Sequence, residues 1–467
     1  MVLPRFKTLP LLAMLATLLL AAEELQAQTV CRIEVRNTAG IQAAIDACAA
    51  RGGGVVRLPT GLTVSGPLWM KSNVEFHLEA GATLRMSRKP EDWQKDVRAL
   101  INADGAHHFA ITGTGTIDGA ATWAYERVKR VDIEIAAEQA LAEKAGVEMK
   151  RFYRTGEVQK YLLVLQKSSD VRIEDVTITN APLWNVRLQD CDRVWMRGVS
   201  VLSDLEKGVN SDGIDIVSSS NITISDSTII TGDDAICLKT DGFGQRGKEP
   251  IRPTENVLVT NSILGSSSTP LMIGTETYAD IRHVVFSNIV IRDSNKVFGI
   301  NVQDGGTVSD VRVSNITFET QRRHWNWWGD AEFIKIVLKK RTPESPLGRI
   351  EQITVDGAQG IARGTSLVAG HAERNLKNIR LSNVSLRLLP EGTPDHRTSH
   401  GLVFERIDSL VLRNVDIEWD TTAPQSSWQS ALVLRDINGL RFTEVATSGT
   451  RKGIPAVVKQ RVRDKHP

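Results

Sequence analysis

Asn210-Ser211-Asp212-Gly213-Ile214-Asp215 opens, and Gly232-Asp233-Asp234-Ala235-Ile236-Cys237-Leu238-Lys239 closes, the stretch on which the reading of this chain turns. Between them Asn221-Ile222-Thr223-Ile224-Ser225 alternates apolar and polar residues, as a strand with one buried face does. Asp212 and Asp233 are 21 residues apart. In a chain that coils at about 20–30 residues per turn, the two acids lie one coil apart and nearly one above the other. Neighbouring strands are separated by about 4.8 Å, so Asp212, Asp233 and Asp234 would crowd one patch of surface. Crowded carboxylates repel and raise one another's pKa. Paired carboxyl groups are also what acetal cleavage needs, one to protonate the leaving oxygen and one to serve water. Asn, Asp and Gly are ordinary turn residues; two acidic turns in register are what favour chemistry over turns alone.

Outward from this stretch, short β-branched runs recur. Val171-Arg172-Ile173, Val194-Trp195-Met196, His283-Val284-Val285-Phe286 and Asn378-Ile379-Arg380-Leu381 are examples. Val257, Val284 and Val311 step by 27 and 27 residues. Units that bury their apolar side only by stacking predict an all-β chain folded as a right-handed parallel β-helix, a solenoid. A propeller would need antiparallel blades and a TIM barrel would need helices between strands; neither pattern is present. Near the N-terminus Ile41, Ala44, Ile45 and Cys48 share one face of a short helix that Gly52-Gly53-Gly54 ends. This helix is expected to cap the open end of the coil. The charged, alanine-rich segment near 124–160 breaks the strand pattern and reads as a helical insertion, either a solvated surface helix, which its charge favours, or a wall beside the cleft. The repeats continue to about 447, followed by a basic, loose end.

The 467 residues carry a net charge of only +2 and show no basic block, so nucleic acid is not an expected partner. Arg5 and Lys7 precede the apolar run Leu9–Ala22, and Leu25-Gln26-Ala27 offers a cleavage site. Residues 1–27 are thus expected to be a signal peptide and 28–467 a single β-helix catalytic domain, secreted or periplasmic. No later segment is apolar enough to predict a membrane span. In an oxidising compartment Cys31 and Cys48 can bridge and staple the cap. Cys191 and Cys237 read as buried thiols, and no pair has metal-ligand spacing.

Several motifs together resemble glycoside hydrolase family 28, the polygalacturonase-like pectin hydrolases of bacterial type. Asn210-Ser211-Asp212-Gly213 resembles the family's Asn-Thr-Asp pattern, and Gly232-Asp233-Asp234 its Gly-Asp-Asp. The Ala44-Ile45-Asp46-Ala47-Cys48 helix with Leu58-Pro59, and Ala181-Pro182-Leu183-Trp184-Asn185, are also similar to bacterial members. The resemblance runs from about residue 33 to 340. It implies hydrolysis by single displacement with inversion, Asp233 as general acid, and Asp212 and Asp234 together activating water. It implies no metal and no cofactor.

Departures from that pattern bear on the substrate. Counting back from Ile273-Gly274, Thr269 stands where the family has a histidine. Asn301 and Gln303 stand where it has an arginine and a lysine that grip a uronate carboxylate. Neutral amides suit hydroxyls better than carboxylates. A pectic glycan with a neutral or deoxy sugar at the cleaved linkage, such as rhamnose, is therefore favoured over plain polygalacturonan; a galacturonate held by other residues also fits. Asn210, Thr269, Glu276, Asn301, Gln303 and Lys239 are candidates for substrate binding, Lys239 also for holding the charge of the acids. Trp325, Trp327 and Trp328 in His324-Trp325-Asn326-Trp327-Trp328-Gly329 are candidates for a sugar-stacking platform. A monomer is expected. The competing readings are a β-helix polysaccharide lyase and a glycan-binding protein without activity. The missing uronate clamp opposes the first and three acids in register oppose the second.

Overall fold

The computed structural model describes residues 29–121 except 95, then 160–241, 250–322, 329–392 and 396–464, together with 125–127, 140, 143, 144, 146 and 152–154. Strands of successive coils pair in parallel and form one continuous ladder of 31 strands among the described residues. The sequence dictates this arrangement. Apolar residues alternate with polar ones along each strand, and only stacking on the next coil covers the apolar set. Val257 lies beside Val284 and Val284 beside Val311, as the step of 27 predicts. The inward residues are buried in one core that runs the length of the solenoid.

Sharp corners separate the strands of a coil, and asparagines hold many of them in the left-handed region. Asn221, Asn256, Asn261, Asn288 and Asn315 have φ between 53° and 59°. Asparagine tolerates this conformation because its short amide bonds locally. The amides also bond from coil to coil: Asn256 donates to Asn221 at 3.0 Å, Asn288 to Asn261 at 3.2 Å and Asn315 to Asn288 at 2.7 Å.

The expected cap is helix α1, Thr38–Ala50, with Ile41, Ala44, Ile45 and Cys48 buried. Asn37 caps its N-terminus by accepting from the Gly40 amide at 2.9 Å. Cys31 and Cys48 form a disulfide that ties the helix to the first strand. Cys191 and Cys237 are free and buried, as expected.

One expectation gains detail and one needs correction. The insertion near 124–160 is helical at 140, 143 and 144, and where it leaves and rejoins the coil Tyr125–Arg127 runs antiparallel to Phe152–Arg154. Pairing the outgoing and returning segments satisfies backbone groups that a helix starting elsewhere would leave open. Most of the insertion lies outside the described residues. The C-terminal end is not loose after 447, because Val457–Asp464 adds a further parallel strand to Leu432–Thr447. Its alternation is weak because an end strand has a neighbour on one side only. The signal segment 1–27 lies outside the described residues.

Six strands of one sheet carry the site. They are β1 (Val186–Gln189), β2 (Ile214–Val217), β3 (Ile236–Thr240), β4 (Leu271–Thr277), β5 (Lys296–Val302) and β6 (Glu332–Leu338). Val186 lies beside Ile214, Ile214 beside Ile236, Ile236 beside Leu271, Leu271 beside Phe298 and Phe298 beside Ile334.

Candidate active site

The ladder fixes which side chains share a row. Two residues before the first inward position of β1 to β6 stand Trp184, Asp212, Asp234, Thr269, Lys296 and Glu332. The acids therefore do meet, but the step from β2 to β3 is 22 residues, so Asp234 rather than Asp233 is in register with Asp212. Asp233 sits one position earlier, in the turn. Oxygens of Asp212, Asp233 and Asp234 all lie within 4.8 Å of one another, and all three residues are buried.

Tight backbone approach makes this crowding possible. A Cβ on Gly213 would lie 2.3 Å from the Ala235 carbonyl oxygen, and one on Gly232 would lie 2.4 Å from that of Gly208. Only glycine lets the two acidic turns come this close. The Gly213 amide donates to the Asp234 carbonyl at 2.8 Å, and the Asn185 amide to the Asp212 carbonyl at 2.8 Å. Asp233 Oδ1 accepts from the Asp234 amide at 2.9 Å, which fixes that carboxyl over its own turn. Asp234 Oδ1 accepts from Ser268 Oγ at 2.8 Å and from the Thr269 amide at 3.1 Å. Asp212 Oδ1 is buried with no hydrogen-bond partner. Burial, then the charges of Asp215 and Asp233, push the Asp212 carboxyl well above the usual range. The cluster thus keeps a proton at pH values where an isolated aspartate has lost it.

A second group of charges adjoins the acids. Asp215 on β2 is fully buried, and neither of its oxygens is hydrogen-bonded. Burial pushes it well above the carboxylate range, against the pull of Lys239. Lys239 Nζ lies 3.8 Å from Asp215 Oδ1 and 3.2 Å from Glu276 Oε2. Burial opposes its charge, but Cys237, Glu276, Asp215 and Asp212 outweigh burial and hold Lys239 well above its usual pKa. Glu276 is held below its usual value: burial works the other way and the Lys239 charge prevails. The Trp184 ring has Lys239 Nζ and the Arg187 guanidinium carbon each 5.2 Å from its centroid. Tyr161 meets the same ring edge-on at 5.6 Å.

The remaining sequence candidates are placed as follows. Asn210 is half-buried at the start of the first acidic turn, with φ 53°. Thr269 is buried beside Asp234. Asn301 lies on β5 between Gly274 and Val337, its Oδ1 buried and without a hydrogen-bond partner. Gln303 follows β5, half-buried, its amide bonded to Thr277 Oγ1 at 2.9 Å. Trp325, Trp327 and Trp328 lie outside the described residues. Sequence reasoning assigned no role to Asp215, Lys296, Ser268 or Trp184. Trp184 and Asp215 stood inside quoted motifs; Lys296 carried no signal beyond being a cation before an apolar run.

The family model of glycosyl hydrolases family 28 matches residues 48–323, more than half of the chain. The chain belongs to glycosyl hydrolases family 28. A probable polygalacturonase of Vitis vinifera is 25% identical over 303 residues, 60% of this chain and 56% of that protein. This family 28 chain thus matches little more than half of the grape protein's length. An endo-polygalacturonase of Pectobacterium carotovorum subsp. carotovorum is 26% identical over 304 residues, 60% of this chain and 69% of that one. The solved structure of a family 28 exopolygalacturonase of Yersinia enterocolitica superposes with a TM-score of 0.65 at 18% identity, covering 94% of this chain and 79% of the other. That likeness is one of fold.

Proposed function

We propose that the chain is a secreted glycosidase that hydrolyses a pectic glycan. The observation that carries this is the gathering of Asp212, Asp233 and Asp234, with oxygens within 4.8 Å, on two glycine-tightened turns. Family membership and the polygalacturonase relatives point to the same substrate class. The signal-like N-terminus and the Cys31–Cys48 disulfide fit an exported protein. No helix of the described residues is long and apolar enough to cross a membrane.

In the proposed reaction Asp233 gives its proton to the glycosidic oxygen as the bond from the anomeric carbon breaks. Water held between Asp212 and Asp234 adds to that carbon and passes its proton to Asp234. Resemblance to the family is what supports inversion. The carboxylate separation does not add to it: the nearest oxygens are closer than the roughly 6.5–9.5 Å usual between the carboxyls of inverting enzymes. Asn301 and Gln303 place neutral amides near β5 where a uronate clamp would need cations. This favours a neutral or deoxy sugar at the cleaved linkage, with Asn210 and the Trp325, Trp327 and Trp328 cluster as further contacts.

The test is product release from polygalacturonan, rhamnogalacturonan and rhamnose-ended oligosaccharides, comparing wild type with Asp233→Asn. Asp233→Asn is expected to lower kcat by about a hundredfold or more, the scale of a lost general acid. NMR of the first anomer released reads the stereochemistry directly. An unsaturated product would indicate a lyase, and binding without turnover a glycan-binding protein.

A further inference from the structure

Lys296 is a buried cation for which the proposed reaction has no assigned role. It opens β5 in the row of the acids, and its side chain is 6% exposed. A buried ammonium is costly unless its donors and charge are used. Its Nζ donates to Thr269 Oγ1 at 3.2 Å and lies 3.8 Å from Glu332 Oε1 across the β5–β6 pair. Burial lowers its pKa, with Glu332 and Asp234 among the groups that work against burial. The backbone opposite is closely packed: a Cβ on Gly299 would press on Met272 Sδ at 2.9 Å and meet Thr269 Cγ2 at 3.4 Å and Lys296 Cδ at 3.5 Å.

Three strands thus lead from the cation to the carboxylate. Lys296 on β5 bonds the Thr269 hydroxyl just before β4, and the amide of the same Thr269 bonds Asp234 Oδ1 just before β3. Ser268 Oγ bonds the same oxygen. With two donors on Oδ1, Oδ2 is the oxygen left to accept from water. A Thr269 hydroxyl that accepts from Lys296 is restricted in its rotation, which steadies the residue whose amide bonds Asp234.

We propose that Lys296 is a positioning residue for Asp234, acting through Thr269 to hold Oδ1 and leave Oδ2 to take the water proton. This rests on the hydrolase reading. The plain alternative is that Lys296 only neutralises Glu332. Glu332 also has Lys335 at 3.8 Å, so its charge has a second partner.

The experiment measures kcat, KM and Tm for wild type, Lys296→Met, Lys296→Arg, Thr269→Val, the double variant Lys296→Met/Thr269→Val, and Lys296→Met/Glu332→Gln, which keeps the pair electrically balanced. Lys296→Met/Glu332→Gln is expected to fold with wild-type Tm and to lose about 10- to 100-fold in kcat with KM changed less than about 3-fold, the scale of a misplaced catalytic group. Thr269→Val is expected to lose as much, and Lys296→Met/Thr269→Val no more than either single change. Lys296→Arg is expected to regain part of the rate. Wild-type kcat in the balanced variant, or additive losses in the double, would overturn the proposal while leaving the hydrolase reading intact. No turnover by the wild-type chain on any pectic glycan would overturn both.

Discussion

Asp215 shows what a single residue can cost and what it can report. Both of its oxygens are buried without hydrogen bonds, and Lys239 Nζ lies 3.8 Å from Oδ1. In the unfolded chain Asp215 loses its proton near 3.8; in the fold burial keeps the proton to higher pH. Above that unfolded value the native state binds more protons than the unfolded one, so this group's contribution to stability falls as pH rises through the raised pKa. Asp212 acts in the same direction, and Glu276, held low, acts in the opposite one. Asp215→Asn removes the Asp215 share alone. Its Tm relative to wild type is expected to be higher at pH 8 than at pH 4, by calorimetry at matched ionic strength. A difference that does not change with pH would contradict this account of Asp215. The three acids of the site were legible in the sequence because two acidic turns one coil apart are rare as accidents. That Asp234, not Asp233, stands in line with Asp212 was not legible, because spacing does not say how many residues a turn spends. Lys296 was invisible for a related reason: its partners, Thr269 and Glu332, become neighbours only when β4, β5 and β6 stack.

At the scale of elements, the cap and the acidic turns make separate predictions. The Cys31–Cys48 bond closes a 17-residue separation and fastens α1 to the first strand. A loop of that size is worth about 3 kcal/mol by chain entropy. Cys48→Ser is expected to lower stability toward urea by about that amount while leaving kcat at 25 °C unchanged, since α1 lies several coils from the acids. Gly213→Ala is expected to behave in the reverse way. Its Cβ would press on the Ala235 carbonyl and part β2 from β3 at the acids, so kcat should fall at least tenfold for a loss in Tm of only a few degrees. Activity close to wild type would mean that the acids tolerate a wider gap than their placement implies. Helix α1 was readable from apolar spacing because it is a local property. The strands at the base of the 124–160 insertion were not, because Tyr125–Arg127 and Phe152–Arg154 pair across a long charged segment whose own composition favours helix.

Over the whole molecule, each coil bonds only to its neighbours, so stability is passed along the axis rather than shared through a centre. The two ends differ. Among the described residues, the N-terminal end has a stapled helix over it, whereas Val457–Asp464 has only Leu432–Thr447 as a strand neighbour. Hydrogen exchange is expected to be fastest, among the strands, in Val457–Asp464 and slowest in β2 to β5, read by mass spectrometry of peptides. Uniform protection would mean that the solenoid opens as one unit. The steps between the site strands are 28, 22, 35, 27 and 36 residues. The first inward positions stay in line through all of them, with a shift only past Leu238 where β3 meets β4, and the differences are taken up mainly at the corners. A lineage carrying this fold can therefore gain or lose residues at a corner, or copy a whole coil, without moving the acids. Such a site is free to change what it holds by lengthening the corners around it, while the chemistry beneath is inherited intact.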